Sequence, residues 1–362
     1  MKLFGNAKRD KSKPRKRKIS PAKRRILIVC SVLLVCLAAG AIYVGSQIKP
    51  PDIPAIDENR AYYPGEYNPD DEQINEGKIA PEGVSNDDRK QDFYTFLLIG
   101  ADSDVNTDTI MVVSYDDVKK EMNLLSIPRD SLVNVKRKIK KINAAYPAGT
   151  VNGGGMQGGV DQLKKEIKTL IGFIPDHYVV VNLKAFVKIV DAVDGVEVDV
   201  PFNMKYDDPD QNLHINLQKG KQVLSGTKAL TFARYRRGAP GYRTISDYER
   251  IEHQQAVLKS LLERLLRPAN LLKIPEFVQI FSDNVFTDLD YGNLIWFAGQ
   301  LNSVRGTDAL SSYTMPTAGS IGSPYYYECL DEAGIIELVN KTINPYTVGI
   351  KAEDLDIITK LS

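Results

Sequence analysis

Residues 93–130 read FYTFLLIGADSDVNTDTIMVVSYDDVKKEMNLLSIPRD. Three short apolar runs stand out in it: FYTFLLIG (93–100), TIMVVSYD (109–116) and EMNLLSIP (121–128). Each is bounded by polar turn residues, the pattern of strands buried in a sheet. The second and third are joined by a short polar turn and are expected to form a hairpin. Downstream, VDQLKKEIKTLIGF (160–173) has helical spacing and HYVVVN (177–182) is strand-like. LKAFVKIVDAVDG (183–195) reads as a helix stopped by Gly195 and followed by the strand VEVDVP. Further helices are expected near 224–236, 247–267, 288–303 and 330–342, with a strand near 310–316. Alternating helices and strands predict an α/β domain, with a mixed central β-sheet flanked by helices.

The chain has 362 residues and a net charge of +1, which hides a division. Residues 1–25 contain twelve of the 47 Lys and Arg but one of the 46 acids, Asp10, so the remainder carries −10. Directly against this basic tail lies ILIVCSVLLVCLAAGAIYVGSQI (26–48), 23 residues without a charge. About 20 apolar residues span a bilayer as a helix. A cleaved signal peptide has a shorter apolar core. The expectation is therefore one transmembrane helix at 26–48, with the basic tail, 1–25, cytoplasmic and everything beyond exported. The location implied is the cell membrane, single-pass, and the tail is not read as binding nucleic acid. Residues 49–92 are rich in Pro, Asp, Glu and Asn and read as an extracellular linker. Residues 93–362 are the folded domain. Only Cys329 of the three cysteines lies in it, so no internal disulfide is expected. The three histidines are scattered and offer no zinc spacing.

Three stretches place charge at strand or helix ends. In LLIGADSDVNTDTIMVV, Asp102 follows the first strand and Asp108 precedes the second. Such a pair suits either a polar turn with Asp caps or a magnesium ion holding substrate phosphates. In LSIPRDSLV, Arg129 and Asp130 form either a surface ion-paired turn or a guanidinium near that loop. In ARYRRGAPGYRTISDYERIEHQQ (233–255), five arginines crowd between 234 and 250. Arg234 and Arg236 alternate at a helix end, Asp247 and Arg250 open the next helix, and Gln254 shares Arg250's face at i+4. Solvated helix ends are one reading. A pyrophosphate, whose charge must be met from several sides, is the other. Taken together the three stretches favour the second.

The order FLLIGAD…DTIMVV…SIPRD…VDAVDGVEV…ARYR…DYER…Q resembles the LytR-CpsA-Psr family of bacterial cell-envelope proteins over about residues 93–255. The resemblance implies an α/β sheet with a deep hydrophobic lipid pocket. It also implies transfer of an anionic glycopolymer, of the teichoic acid or capsule type, from a polyprenyl-pyrophosphate carrier to a peptidoglycan acceptor. Carried over, it assigns Asp102 and Asp108 to magnesium. Arg129, Arg234, Arg236 and Arg250 become pyrophosphate ligands, with Gln254 as a polar neighbour. Arg129, Asp247 and Arg250 are the expected catalytic residues, and Asp102 and Asp247 are both candidates for the general base. The chain departs from the family pattern at Asn106 and His253, where arginines are usual. Its 236–247 loop is longer and adds Arg237 and Arg243, either of which is a candidate to replace a missing charge. Hydrolysis of the lipid-linked glycan, and non-catalytic glycan binding with a regulatory role, are the competing functions.

Elsewhere, NGGGMQGG (152–159) lacks the Lys-Ser/Thr ending of a P-loop and reads as a flexible loop. Trp296 sits in an apolar stripe expected to be core. The tyrosines of SPYYYECLDE (323–332) are expected in a loop packed on the domain.

Overall fold

The structure is a computed structural model, and it describes residues 47–56, 80–101, 107–211, 213–265, 267, 270, 273–301, 310–322 and 324–361. The chain divides into two compact units, Met1–Lys49 and Pro50–Ser362. The expected membrane segment 26–48 falls almost wholly outside the described residues. Among those described, no helix is long and apolar enough to cross a membrane.

Twelve strands are described in the second unit: β1 (Phe93–Ala101), β2 (Thr107–Asp116), β3 (Glu121–Ser126), β4 (His177–Asn182), β5 (Val196–Val200), β6 (Met204–Asp208), β7 (Leu213–Leu217), β8 (Gly220–Leu224), β9 (Val285–Thr287), β10 (Leu310–Thr314), β11 (Thr317–Gly322) and β12 (Tyr326–Leu330). The main helices are α1 (Gly155–Ile171), α2 (Leu183–Ala192), α3 (Gly226–Arg234), α4 (Asp247–Leu265), α5 (Ile274–Asn284), α6 (Tyr291–Leu301) and α7 (Glu332–Thr342). The central sheet has six strands in the order β10-β3-β2-β1-β4-β9. It is mixed: β1–β2 and β2–β3 are antiparallel, while β1–β4 and β3–β10 are parallel. The expected β2–β3 hairpin is present.

One face of this sheet is closed. Leu97, Ile99, Val112 and Leu125 are buried beneath Leu163, Ile167 and Leu170 of α1 and Val339 of α7. The apolar positions of α1 recur every three to four residues, so one stripe meets the sheet. On the other face, Tyr94 and Tyr115 are buried against Trp296 and Phe297 of α6. Trp296 meets Tyr94 edge-on at 5.5 Å and is itself only partly buried, at the edge of this cluster. Further along that face, Leu98, Val113, Val179 and Val181 are only half-buried. A second apolar cluster joins α2, α3 and α4 to the paired ribbons β5–β8 and β6–β7.

Two expectations need correction. The glycine stretch 152–159 is not a loop; it is a wide π-type turn running into the start of α1. Gly158 and Gly159 serve close packing there, since a Cβ would lie 2.7 Å from the Gly149 carbonyl oxygen at the first and 2.5 Å from Thr150 Oγ1 at the second. The tyrosine stretch contributes β12, in which Tyr327 is buried and Tyr326 is half exposed. Part of the stretch read as linker also lies on this unit. Ile56 and Asn86 exchange two hydrogen bonds, and Ala80 and Val84 are buried in the main cluster.

Candidate active site

Asp108 is positioned by an irregularity. Gly100 pairs with Thr109 and Ala101 with Thr107, so Asp108 is the extra residue of a β-bulge. A bulge leaves one residue unpaired and re-aims its side chain. Gly100 is required there, because a Cβ would come within 2.9 Å of the Thr109 Cβ. Thr107 anchors the other side by donating its hydroxyl to the Asn143 carbonyl at 2.9 Å.

Arg129 stands on the turn that follows β3. The Ser131 hydroxyl and N–H both donate to the Pro128 carbonyl, at 2.7 and 3.0 Å, and hold that turn closed. Asp247 and Arg250 are fixed by the start of α4. There Ser246 and Glu249 form a reciprocal cap: the Glu249 N–H donates to the Ser246 hydroxyl at 3.2 Å, and the Ser246 N–H donates to Glu249 at 2.9 Å. With the helix start fixed, Asp247 and Arg250 share a face at i,i+3. The Asp247 carboxylate also lies in the first turn, where the helix dipole favours negative charge.

These three elements bring four charged side chains into contact. Arg129 Nη1 donates to Asp108 Oδ1 at 2.6 Å, and Arg250 Nη1 lies 3.7 Å from the same oxygen. Asp247 Oδ1 lies 2.8 Å from Arg250 Nη2 and 3.4 Å from Arg129 Nε. Asp247 and Arg250 are largely enclosed, while Asp108 is about half exposed. Burial alone would raise the Asp108 pKa, but Arg250, Arg129 and Arg234 together bring it below the usual carboxylate value. Burial also works against the Arg129 charge, and Asp247 and Asp108 more than offset it, so its pKa is raised. For Arg250, burial and repulsion from Arg129 and Arg236 outweigh Asp247 and Asp108, and its pKa is lowered. Arg234 and Arg236 are thus close enough to act on the cluster electrostatically.

The cluster does not satisfy itself. Arg129 Nε, Arg250 Nε and both Asp247 carboxylate oxygens are buried with no hydrogen-bond partner. The short Asp247–Arg250 approach is an ion pair, not an aligned hydrogen bond. An unmade hydrogen bond on a buried polar group costs about 1–3 kcal/mol, and four such atoms in one place mark a site built for a ligand. Donors and acceptors left open side by side suit a substrate that brings both phosphate oxygens and a hydroxyl.

Of the residues expected from sequence, Asp108, Arg129, Asp247 and Arg250 meet directly, while Arg234 acts electrostatically on Asp108 and Arg236 on Arg250. Asp102 and Asn106 lie outside the described residues. Among those described, no three His, Cys, Asp or Glu side chains gather as a ready metal cage. Gln254 is half-buried on α4. Its neighbour Gln255 has a role the sequence reading missed. The Gln255 amide donates to Ser126 Oγ at 2.9 Å and to the Tyr313 carbonyl at 3.0 Å, tying α4 to the ends of β3 and β10. The QQ doublet gave no sign of which glutamine turns inward.

The departures from the family pattern are also resolved in part. His253 is buried and stacked on Phe232 with ring centroids 4.4 Å apart. Burial pushes its imidazole down to about 4, so it is neutral at physiological pH and supplies no charge. Arg243 does not replace one either, because it pairs with Glu249 and lies over the Phe202 ring at 4.9 Å. Arg237 is exposed and acts electrostatically on Tyr206.

Comparison with known proteins places this geometry. The LytR_cpsA_psr family model matches residues 65–343. The chain is 30% identical over 234 residues to the regulatory protein MsrR of Staphylococcus aureus, a match covering 62% of this chain and 65% of MsrR, just under two thirds of that relative's length. It is 30% identical over 267 residues to the polyisoprenyl-teichoic acid–peptidoglycan teichoic acid transferase TagU of Oceanobacillus iheyensis, covering 70% of this chain and 76% of TagU. The crystal structure of Bacillus subtilis TagV superposes with a TM-score of 0.57 at 25% identity, over 70% of this chain and 96% of that one. The chain belongs to the LytR-CpsA-Psr family.

Proposed function

We propose that this protein transfers a phosphate-linked anionic glycopolymer, of the teichoic acid or capsule type, from a polyprenyl-pyrophosphate carrier to peptidoglycan. The observation that carries the reading is the set of four buried polar atoms on Arg129, Arg250 and Asp247 that make no hydrogen bond, on residues joined to one another through ion pairs alone. Arg234 and Arg236 stand in the same field and add charge for a diphosphate. The half-buried apolar residues Leu98, Val113, Val179 and Val181 support a place for the isoprenoid tail. TagU and TagV, by their names, move teichoic acid to peptidoglycan, which supports the same class of donor and acceptor here.

In this reading an acceptor sugar hydroxyl bonds to the phosphorus bearing the glycan. The phosphorus–oxygen bond to the prenyl phosphate breaks, and prenyl phosphate leaves with the electron pair. Arg129 and Arg250 hold the phosphate oxygens, and their charge is worth most where burial excludes water. Asp247, whose two oxygens have no hydrogen-bond partner, orients the hydroxyl and takes its proton. Carboxylate oxygens are the hard donors magnesium prefers. We propose that Asp108, with Asp102, holds a magnesium ion, which would neutralise diphosphate charge when bound. The 26–48 segment would anchor the domain beside a donor in the outer leaflet.

The test uses the full-length protein in membrane vesicles, labelled lipid-linked glycan and purified peptidoglycan, with and without magnesium. The expected result is label in peptidoglycan, dependent on Arg129 and on the metal. Label released only to water would make the protein a hydrolase, and donor bound but never cleaved would make it a binding protein.

A further inference from the structure

The run VKRKIKK (135–141) follows the Arg129 turn and has cations at five of seven positions. It stands out from a chain that is net acidic beyond residue 25. Two of the five cations turn inward and make the run rigid. Arg137 places both terminal nitrogens on Glu166, whose side chain is 1% exposed, and donates Nε to the Ile139 carbonyl at 2.8 Å. Its Nη2 also donates to the Lys141 carbonyl at 2.6 Å, so the guanidinium clasps the loop from inside. Lys141 reaches Asp130 Oδ1 at 2.6 Å, and Asp130 neighbours Arg129 with its Oδ2 3.9 Å from Arg129 Nε. The Val133 N–H donates to the Lys140 carbonyl at 3.0 Å and closes the loop as a hairpin.

The other three cations alternate along the hairpin. Lys136 and Lys138 are exposed and Lys140 is half-buried. Residues 136–139 form the bends of the hairpin tip, so the three lysines are grouped on a short turn whose backbone Arg137 holds. A group of charges on a held backbone loses little freedom when it meets a polyanion. The hairpin is also tied, through Lys141 and Asp130, to the turn that carries Arg129.

We propose that this hairpin is a docking surface for the repeating phosphodiesters of the polymer being transferred, continuous with the diphosphate site. The inference rests on the transfer reading for its substrate, and the partner is defined by its chemistry: an extended chain with phosphate at regular intervals. An anionic membrane surface would also attract lysines, but the link to the Arg129 turn favours the polymer.

The test compares the full-length wild type with two triple variants, K136Q/K138Q/K140Q and K136R/K138R/K140R. All three receive a lipid-linked donor bearing a phosphodiester-repeat polymer, and a donor bearing a disaccharide alone. The expected result is a roughly tenfold rise in KM for the polymer donor in the Gln variant, with the disaccharide donor unchanged and the Arg variant restored. Each lysine that neutralises a phosphate releases a counterion, so the log–log salt dependence of soluble polymer binding should flatten by roughly two to three in the Gln variant. Equal use of both donors by the Gln variant would overturn the inference. So would loss of binding to phosphatidylglycerol vesicles with polymer binding intact. A wild type that binds the soluble polymer through these lysines but transfers nothing would sink the transfer reading and keep this one.

Discussion

The two faces of the central sheet are made from the same strands and are finished differently. Leu97 and Ile99 point to one side of β1 and are fully buried beneath α1 and α7. Leu98, between them, points to the other side and is only half-buried, as are Val113, Val179 and Val181 around it. Burying a Leu fully gains about 1.5–3 kcal/mol relative to exposure. Met111 and Leu124 on the Leu98 face are fully buried, so the gain is left unrealised only in the patch around Leu98, Val113, Val179 and Val181. The closed face supplies stability, and the half-open face, whose far end is packed with Tyr94, Tyr115, Trp296 and Phe297, is where the proposed function would seat the isoprenoid tail.

The most severe test of that contrast is Leu97→Ala. It creates a cavity in the closed face and should cost about 3–5 kcal/mol in urea unfolding. A loss of about 1 kcal/mol would show that the face is less tightly packed than its burial indicates. Arg129→Ala, at the rim of the other face, should act on turnover. Removing one charged donor from such a site typically lowers kcat by about 10²–10³-fold, roughly 3–4 kcal/mol. Thermal stability should change little, because Arg250 still faces both carboxylates.

His253 sharpens the comparison, since it lies on α4, the helix that carries half the charged cluster. Its pKa is depressed from 6.5 to about 4 by burial, so between those values the unfolded chain binds a proton that the folded chain excludes. Stability from this group is therefore full above pH 6.5 and is lost as the pH falls toward 4, by about 3 kcal/mol in all. Urea titrations across that window should show the slope, and His253→Phe should flatten it. Hydrogen exchange should show α4 loosening with acid before α1. A small effect on stability is expected for Leu98→Ala, about 1 kcal/mol or less, because the side chain is only half-buried. The same change should raise KM for a long-chain prenyl donor more than for a short-chain one. Equal effects on both would remove Leu98 from the lipid site.

The sequence made some of this legible and hid the rest for physical reasons. β1, β2, β3 and β4 were readable because continuous apolar runs between turn residues have few other fates, and HYVVVN matches β4 at both ends. Its terminal Asn182 also caps α2 by accepting from the Ala185 N–H at 2.8 Å. The β5–β8 and β6–β7 ribbons were mostly missed, because strands such as MKYDD and GKQVL are polar along one side and resemble loops. The glycine stretch misled because composition cannot separate flexibility from the need for close contact. At the site, residue types and order pointed to Asp108, Arg129, Asp247 and Arg250. The bulge that aims Asp108 was invisible, since a one-residue shift in register leaves no mark in composition. That His253 is neutral and that Arg243 is spent on Glu249 follow from packing alone.

The partly uncovered apolar strip has a practical consequence. Detergent monomers are single-chain amphiphiles, and under the proposed function they would compete with the prenyl donor for that strip. Turnover measured in micelles would then report displacement as well as chemistry, and apparent donor affinity would weaken as free detergent rises. Nanodiscs or native vesicles, in which loose amphiphile is scarce, are the medium in which the intrinsic constants can be read.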